Sequence, residues 1–218
     1  MQIDIRVMEL LASKFCHDLV SPVSAINNGV ELIEDIGGSV VEEAMKLIGD
    51  SAGHASRRLR LFRMAYGRAG SEESLGVRDV RLTAEQYLSG GKVVLSWPED
   101  QPSENLVRQK GFLKVVLNMV ILAEETLPYG GAISLRAVTQ GGEAGCRFEI
   151  VGRSAQLSPQ LQEALDGKAA VEELTPRSIQ AYVTGKFAAH FNLKLAYDQS
   201  IPDRLDLSLF ESAISLAA

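Results

Sequence analysis

Over the first 35 residues, apolar side chains recur at Met8, Leu11, Phe15, Leu19, Val23, Ile26, Val30 and Ile33, with gaps of three and four. That spacing builds one apolar helix face and predicts a helix from about Asp4 to Asp35. Gly37-Gly38 interrupts the pattern. Ser39, with Glu42 three residues later, has the form of a capping box that opens a second helix. A second stripe then runs through Val41, Ala44, Ile48, Ala52, Ala55, Leu59, Phe62 and Tyr66. Both helices reach about thirty residues, long for a globular helix. Two such helices cannot bury their apolar faces fully against each other. Pairing two hairpins into a four-helix bundle solves this, so a homodimer is expected.

Residues 71–76 read as a linker, and beyond them the pattern becomes α/β. Val80–Leu88 predicts a helix ended by Gly90-Gly91, and Lys92–Trp97 a strand stopped by Pro98. Asn105–Leu127 predicts a long apolar helix. Ala132–Thr139 and Gly145–Val151 predict a hairpin around Gly141-Gly142. A helix over about Arg177–His190 and strands over Lys194–Asp198 and Arg204–Phe210 complete the chain. The expected fold class is α+β in two domains: a helical hairpin over 1–70 and an α/β sandwich over 77–218.

The polar side of the first helix carries the candidate chemistry. His17 lies about 200° round from both Phe15 and Leu19, and so points outward with Ser21, Ser24, Asn28 and Glu31. Asp18 follows it directly. Pro22 stands inside the helical pattern, where proline costs about 3 kcal/mol and frees the carbonyl four residues back. A solvated histidine beside a structural kink is one reading; a shaped site around an exposed imidazole is the other. Reflection of the hairpin at Gly37-Gly38 sets residue 17 against residues near 58. There Arg57, Arg58, Arg60 and Arg63 occur, and no acid lies between His54 and Ser71. Arg57 is expected to face outward, with Arg58 and Arg60 flanking the core stripe. They form either a solvated basic face or a positive collar that steers an acidic partner.

Composition narrows the classes. The 218 residues are 46% hydrophobic, enough for a real core. No apolar run reaches the ~18 residues of a membrane span, and the N-terminus lacks the layout of a signal peptide. Cys16 and Cys146 are too few for a disulfide framework, which points to a reduced cytoplasm. The net charge of −6 gives no argument for nucleic acid binding. Three scattered histidines and two distant cysteines make no metal-ligand spacing. His54 has neither an adjacent acid nor a following proline, which makes it a weak alternative to His17.

The string His17-Asp18-x-x-Ser21-Pro22 resembles the phosphoacceptor motif of sensor histidine kinases. The longer string Cys16-His17-Asp18-Leu19-Val20-Ser21-Pro22-Val23-x-Ala25-Ile26-Asn27-Asn28-Gly29 is more closely similar to the ChpT family, the histidine phosphotransferases of alphaproteobacterial phosphorelays. Length and organisation agree over nearly the whole chain. The resemblance implies a dimeric bundle carrying the phosphoacceptor, followed by a degenerate version of the histidine kinase ATPase domain. Asn118 falls where that domain has a metal-binding asparagine, and His190 where it has a helix-end histidine. The first glycine box is replaced by Phe148-Glu149-Ile150-Val151-Gly152-Arg153-Ser154-Ala155, without its Asp and with a single Gly. The second is replaced by Glu173-Leu174-Thr175-Pro176-Arg177-Ser178-Ile179-Gln180, without any. Glycines let backbone amides approach phosphates, so loss of ATP binding is expected.

On this resemblance His17 is the nucleophile, with Asp18 and Ser21 orienting the ring or the phosphoryl group. Pro22, Ser24, Asn28, Arg57, Arg58 and Arg60 form the partner surface. The partners are receiver domains of a hybrid histidine kinase and of response regulators; nucleic acid and membrane are not expected partners. The receiver is expected to bring Mg²⁺, and no cofactor is expected on this chain. Two alternatives stay open: an ATP-dependent kinase or phosphatase with an unusual nucleotide site, and a dimeric scaffold that binds receivers without being phosphorylated.

Overall fold

The computed structural model describes residues 4–67, 76–99 and 110–211. Most of the predicted linker and the first turns of the predicted Asn105 helix lie outside the described residues. Helix α1 spans Ile5–Asp35 and is capped by Asp4, whose carboxylate accepts from the Arg6 amide at 2.9 Å. Gly37 and Gly38 turn the chain at φ 61° and 59°, values that glycine adopts without steric penalty. A 3₁₀ turn over Gly38–Val40 leads into α2, Val41–Tyr66. The capping box does not form: Ser39 lies inside that turn, and Val40 occupies the cap with no side-chain hydrogen bond. A capping side chain needs an extended backbone, which the 3₁₀ turn does not offer.

The two helices pack antiparallel along a seam of Phe15, Pro22, Ile26 and Gly29 on α1 and Ala44, Ile48, Ala55 and Phe62 on α2. Gly29 sets the closest approach, because a Cβ there would sit 2.7 Å from Ile48 Cγ1 and 3.2 Å from the Ala44 carbonyl oxygen. The predicted apolar stripes are wider than this seam. Met8, Val23, Val30, Ala52 and Leu59 are exposed, since a single neighbouring helix cannot cover an apolar arc of more than about 100°.

Helix α3 spans Val77–Leu88 and strand β1 Val93–Ser96. Helix α4 spans Phe112–Glu125, behind Gly111 at φ 76°. Strands β2, Gly131–Gln140, and β3, Glu143–Val151, form the predicted hairpin. A short helix α5, Pro159–Leu165, follows, capped by the Ser158 hydroxyl. It went unpredicted because a seven-residue helix shows no periodic stripe, although Ser158-Pro159 has the form of a cap followed by a first-turn proline. A 3₁₀ turn at Val171–Glu173, helix α6 at Ile179–His190 and strands β4, Leu193–Asp198, and β5, Arg204–Glu211, complete the chain.

The strands form one five-stranded sheet in the order β1-β2-β3-β5-β4. Only β1 and β2 are parallel, with Val93 opposite Gly131; the other pairs are antiparallel. Helix α4 is buried almost all round, from Phe112 to Ala123, as its run of apolar residues requires. One hydrophobic core runs from the sheet through α4 and α3 into Leu61, Phe62 and Ala65 of α2, with Val7, Leu10, Leu11 and Phe15 of α1 packed on it. The hairpin is thus fastened to the α/β part by its base, while its Gly37-Gly38 end projects. None of the described helices is long and apolar enough to cross a membrane.

Candidate functional site

Helix α1 holds His17 on its outer face, with 89% of the side chain exposed. The ring Nδ1 lies 3.4 Å from Asp18 Oδ1. Asp18, in contrast, is only 16% exposed, and its second oxygen faces Lys14 Nζ at 3.5 Å and Arg58 at 3.6 Å. Lys14 also pairs with Glu125, and Arg58 with Glu124 at 3.7 Å. Tyr87 donates its hydroxyl to Glu124, and the Arg58 guanidinium lies 5.2 Å from the centre of the Tyr87 ring. The base of His17 is therefore tied through Asp18 to the last turn of α4 and to α3. These groups line a cleft of about 370 Å³.

Burial acts on each member of this network. Desolvation opposes the Lys14 charge, but Glu125 and Asp18 together outweigh it and its pKa rises. Desolvation also raises the Glu125 carboxyl, and Lys14 offsets this only in part. The Tyr87 hydroxyl is pushed well up, first by burial and then by Glu124. Sequence reasoning found Asp18 and Arg58 but missed Lys14, Tyr87, Glu124 and Glu125. The i, i+4 spacing of Lys14 and Asp18 was a usable signal. The other three come from distant parts of the chain, and nothing local marks them.

The remaining predicted residues fall in three places. Ser21, Ser24 and Asn28 are exposed on the His17 side of α1. Pro22 is buried within the chain, unlike its exposed neighbours, so within one chain it shapes the helix and presents little surface. Arg57 does not face outward as expected. It is half-buried in a groove of about 720 Å³ between α2 and α3, with Arg60, Arg63, Gln86 and Ser89. Arg60 donates to Gln86 at 3.1 Å, and Arg57 Nε is buried without a hydrogen-bond partner. Within one chain, Arg58 is the arginine of the predicted collar that adjoins Asp18, and Arg57 and Arg60 lie on the far flank of α2. His54 accepts from Arg58 Nε through its Nε2 at 2.9 Å. Burial and the flanking Arg58 and Arg57 lower its pKa. Its lone pair is thus engaged.

Asn118 is fully buried and turned toward α2. Its amide donates to the carbonyls of Lys114 at 2.9 Å and Ala65 at 3.2 Å, while Gln180 donates to its Oδ1 at 3.2 Å. Tyr66 donates to Gln180 in turn. The segments in place of the glycine boxes are closed by their own bonds. Asp203 accepts from the amides of Gly152 at 3.0 Å and Ser154 at 2.7 Å, and the Ser178 hydroxyl accepts from the Thr175 amide at 3.0 Å. His190 is exposed at the end of α6, its ring 4.8 Å from that of Phe191.

Three comparisons bear on this arrangement. A family profile described as the histidine phosphotransferase C-terminal domain matches residues 77–202. The protein phosphotransferase ChpT of Brucella abortus (strain 2308) is 34% identical over 197 residues, covering 89% of this chain and 90% of that one. A solved structure titled as a bacterial phosphotransferase superposes with a TM-score of 0.76 at 28% identity, covering 96% of this chain and 98% of the other. The profile over more than half of the chain and this agreement over nearly the full length, with His17 exposed beside an anchored Asp18, place the chain in the histidine phosphotransferase family that includes ChpT.

Proposed function

We propose that the protein passes phosphoryl groups between receiver-domain aspartates in a phosphorelay, with His17 as the covalent intermediate. The observation that carries this reading is the exposure of His17 next to a carboxylate that is itself held in place. Asp18 sits where it can accept the Nδ1 proton, which leaves the Nε2 lone pair directed at solvent. That nitrogen attacks the phosphorus of an aspartyl phosphate on the donor receiver. The new P–N bond forms as the P–O bond to the donor carboxylate breaks, and the carboxylate leaves as an anion. The second transfer reverses these steps onto the aspartate of another receiver. Phosphoryl transfer depends chiefly on positioning and charge, and Mg²⁺ comes with the receiver. Ser21, one turn on from His17, lies on the same face and serves as a hydrogen-bond donor to the phosphoryl oxygens.

The alternative of an ATP-dependent kinase is disfavoured by the engagement of Asn118 and by the missing glycines. The working form is a cytoplasmic homodimer. Val20, Val23, Met45 and Leu59 are 60%, 47%, 58% and 52% exposed, and an apolar strip of this kind on a long hairpin calls for a second copy. Sedimentation at micromolar concentration is expected to give a dimer. Incubation with a ³²P-labelled phospho-receiver is expected to place acid-labile, base-stable label on this chain, and His17→Ala is expected to abolish it. Label that survives in His17→Ala would remove His17 from the mechanism. Tight receiver binding with no label on the wild-type protein would favour the scaffold alternative.

A further inference from the structure

We infer that Arg57 and Arg60 serve the His17 of the other subunit rather than their own. The inference rests on His17 as phosphoacceptor and on the dimer, and it adds which chain supplies the basic wall of the site.

The geometry starts from the seam. At about 100° per residue, Cys16, Val20, Val23 and Val30 lie roughly 80–160° round α1 from the buried Pro22, in the sense of the helix winding. On α2, Met45, Ala52 and Leu59 are turned from Ile48 in the same sense, by about 20–60°. The helices run antiparallel, so equal senses of rotation bring both strips to the same side of the hairpin. His17 lies beyond the α1 strip, about 220° round from Pro22, on the flank remote from α2. Arg60 and Arg57 lie beyond the α2 strip, about 120° and 180° round from Ile48, on the flank remote from α1. In one chain the histidine and these arginines therefore point away from each other, with two helices between them.

A two-fold axis parallel to the helices that closes strip on strip exchanges these flanks. The partner's α2 then lies beside α1, and its outer flank faces the same way as His17. The levels also match. Phe15 stacks on Phe62 with ring centres 4.7 Å apart, and Asp18 faces Arg58 at 3.6 Å, so residues near 59 stand at the height of His17. Rotation about an axis parallel to the bundle preserves that height. A receiver on His17 thus meets the partner subunit's Arg60, with the partner subunit's Arg57 further out.

The charge of the groove fits this role. Among the described residues, Arg57, Arg60 and Arg63 have no carboxylate within ion-pair distance, whereas Arg58, one position from Arg57, faces both Asp18 and Glu124. An acidic pocket carrying an aspartyl phosphate is the complementary surface. Unpaired guanidinium groups at the rim of such a contact act mainly on the rate of encounter.

The test uses two heterodimers, each isolated through two different affinity tags. In the first, a His17→Ala subunit is paired with an Arg57→Glu/Arg60→Glu subunit. In the second, a wild-type subunit is paired with a His17→Ala/Arg57→Glu/Arg60→Glu subunit. Each holds one His17 and one pair of native arginines, on different chains in the first and on one chain in the second. Labelling by a ³²P-labelled phospho-receiver at low salt is expected to be fast in the first and slower in the second, by on the order of tenfold, with the gap closing at about 1 M salt. The reverse order would assign the arginines to their own histidine and overturn the inference. Equal rates would overturn it too, by removing the arginines from the site. Failure of the underlying reading looks different: the wild-type homodimer would carry no label on His17, or the protein would sediment as a monomer.

Discussion

At the residue scale, the distinction between His17 and Asp18 organises the chemistry. Neighbours in the chain, they lie about 100° apart on the helix, which leaves one in solvent and the other against the α/β part. The exposed imidazole can reach a reaction centre that belongs to another protein; the buried carboxylate can be held still. Asp18→Asn keeps a similar shape but removes the charge that Lys14 and Arg58 share. Phosphoryl transfer to Asp18→Asn is expected to slow by up to roughly 10²-fold, the cost of a misplaced reacting group, by more than any loss of stability seen in urea titration accounts for. A variant that transfers at the native rate would leave Asp18 as part of the domain contact alone. The sequence displayed this pair openly. It did not display that Arg58 is bonded to His54 and Asp18 while Arg57 turns into a different groove, because adjacent residues on a helix diverge and only the packing of α3 fixes what each one meets.

Elements enter through the junction between α1 and the end of α4. Lys14 is 10% exposed and lies between Glu125 and Asp18. Removing it takes the cation from Glu125, whose side chain is 29% exposed, while Asp18 keeps Arg58 at 3.6 Å; the expected cost lies below the roughly 3–5 kcal/mol of breaking a fully buried pair from one side. Replacing Glu125 instead also relieves a desolvation cost. Lys14→Met is therefore expected to destabilise more than Glu125→Gln in urea titrations at pH 7. The pH dependence has a definite sign. Glu125 already has its folded pKa raised by burial, and the loss of Lys14 raises it further. A carboxyl whose folded pKa lies above its unfolded value gains stability as pH falls through the folded pKa. The deficit of Lys14→Met should thus shrink between pH 7 and pH 5. A deficit that stays constant or grows over that range would mean that the loss of Lys14 does not act through the charge of Glu125. In the native protein, the raised Lys14 pKa contributes stability that is present below the unfolded lysine pKa and lost as pH rises through the folded value, in the alkaline range.

At the scale of the whole molecule, the α/β part holds the hairpin through buried polar groups and rings. Asn118, Gln180 and Tyr66 form a buried hydrogen-bonded group between α4, α6 and the end of α2. Phe15, Phe62, Tyr66, Phe187 and Phe191 continue the contact as a chain of rings. An asparagine whose amide already serves two carbonyls and whose carbonyl oxygen accepts from Gln180 has little left for a metal ion. Calorimetry with ATP and Mg²⁺ is expected to show no saturable heat at millimolar nucleotide. Stoichiometric, tight binding would reopen the kinase alternative.

The sequence by itself determined the two long helices, their break at Gly37-Gly38, the order of nearly all later elements and the outward histidine. Each of these follows from local periodicity or from a glycine turn, quantities that neighbours in the chain set between themselves. It also shows a single glycine in residues 148–155 and none in 173–180, the residue-type fact on which the expected lack of a phosphate cradle rests. The tertiary structure alone decided which parts of the apolar stripes are covered, that Pro22 is inside while Ser21 is outside the seam, and that Lys14, Tyr87, Glu124 and Glu125 gather around Asp18. Those outcomes depend on how α2 packs on α1 and where α3 and α4 dock, contacts between residues up to 111 positions apart for Lys14 and Glu125. Local propensity carries no information over such separations; burial of the shared core does.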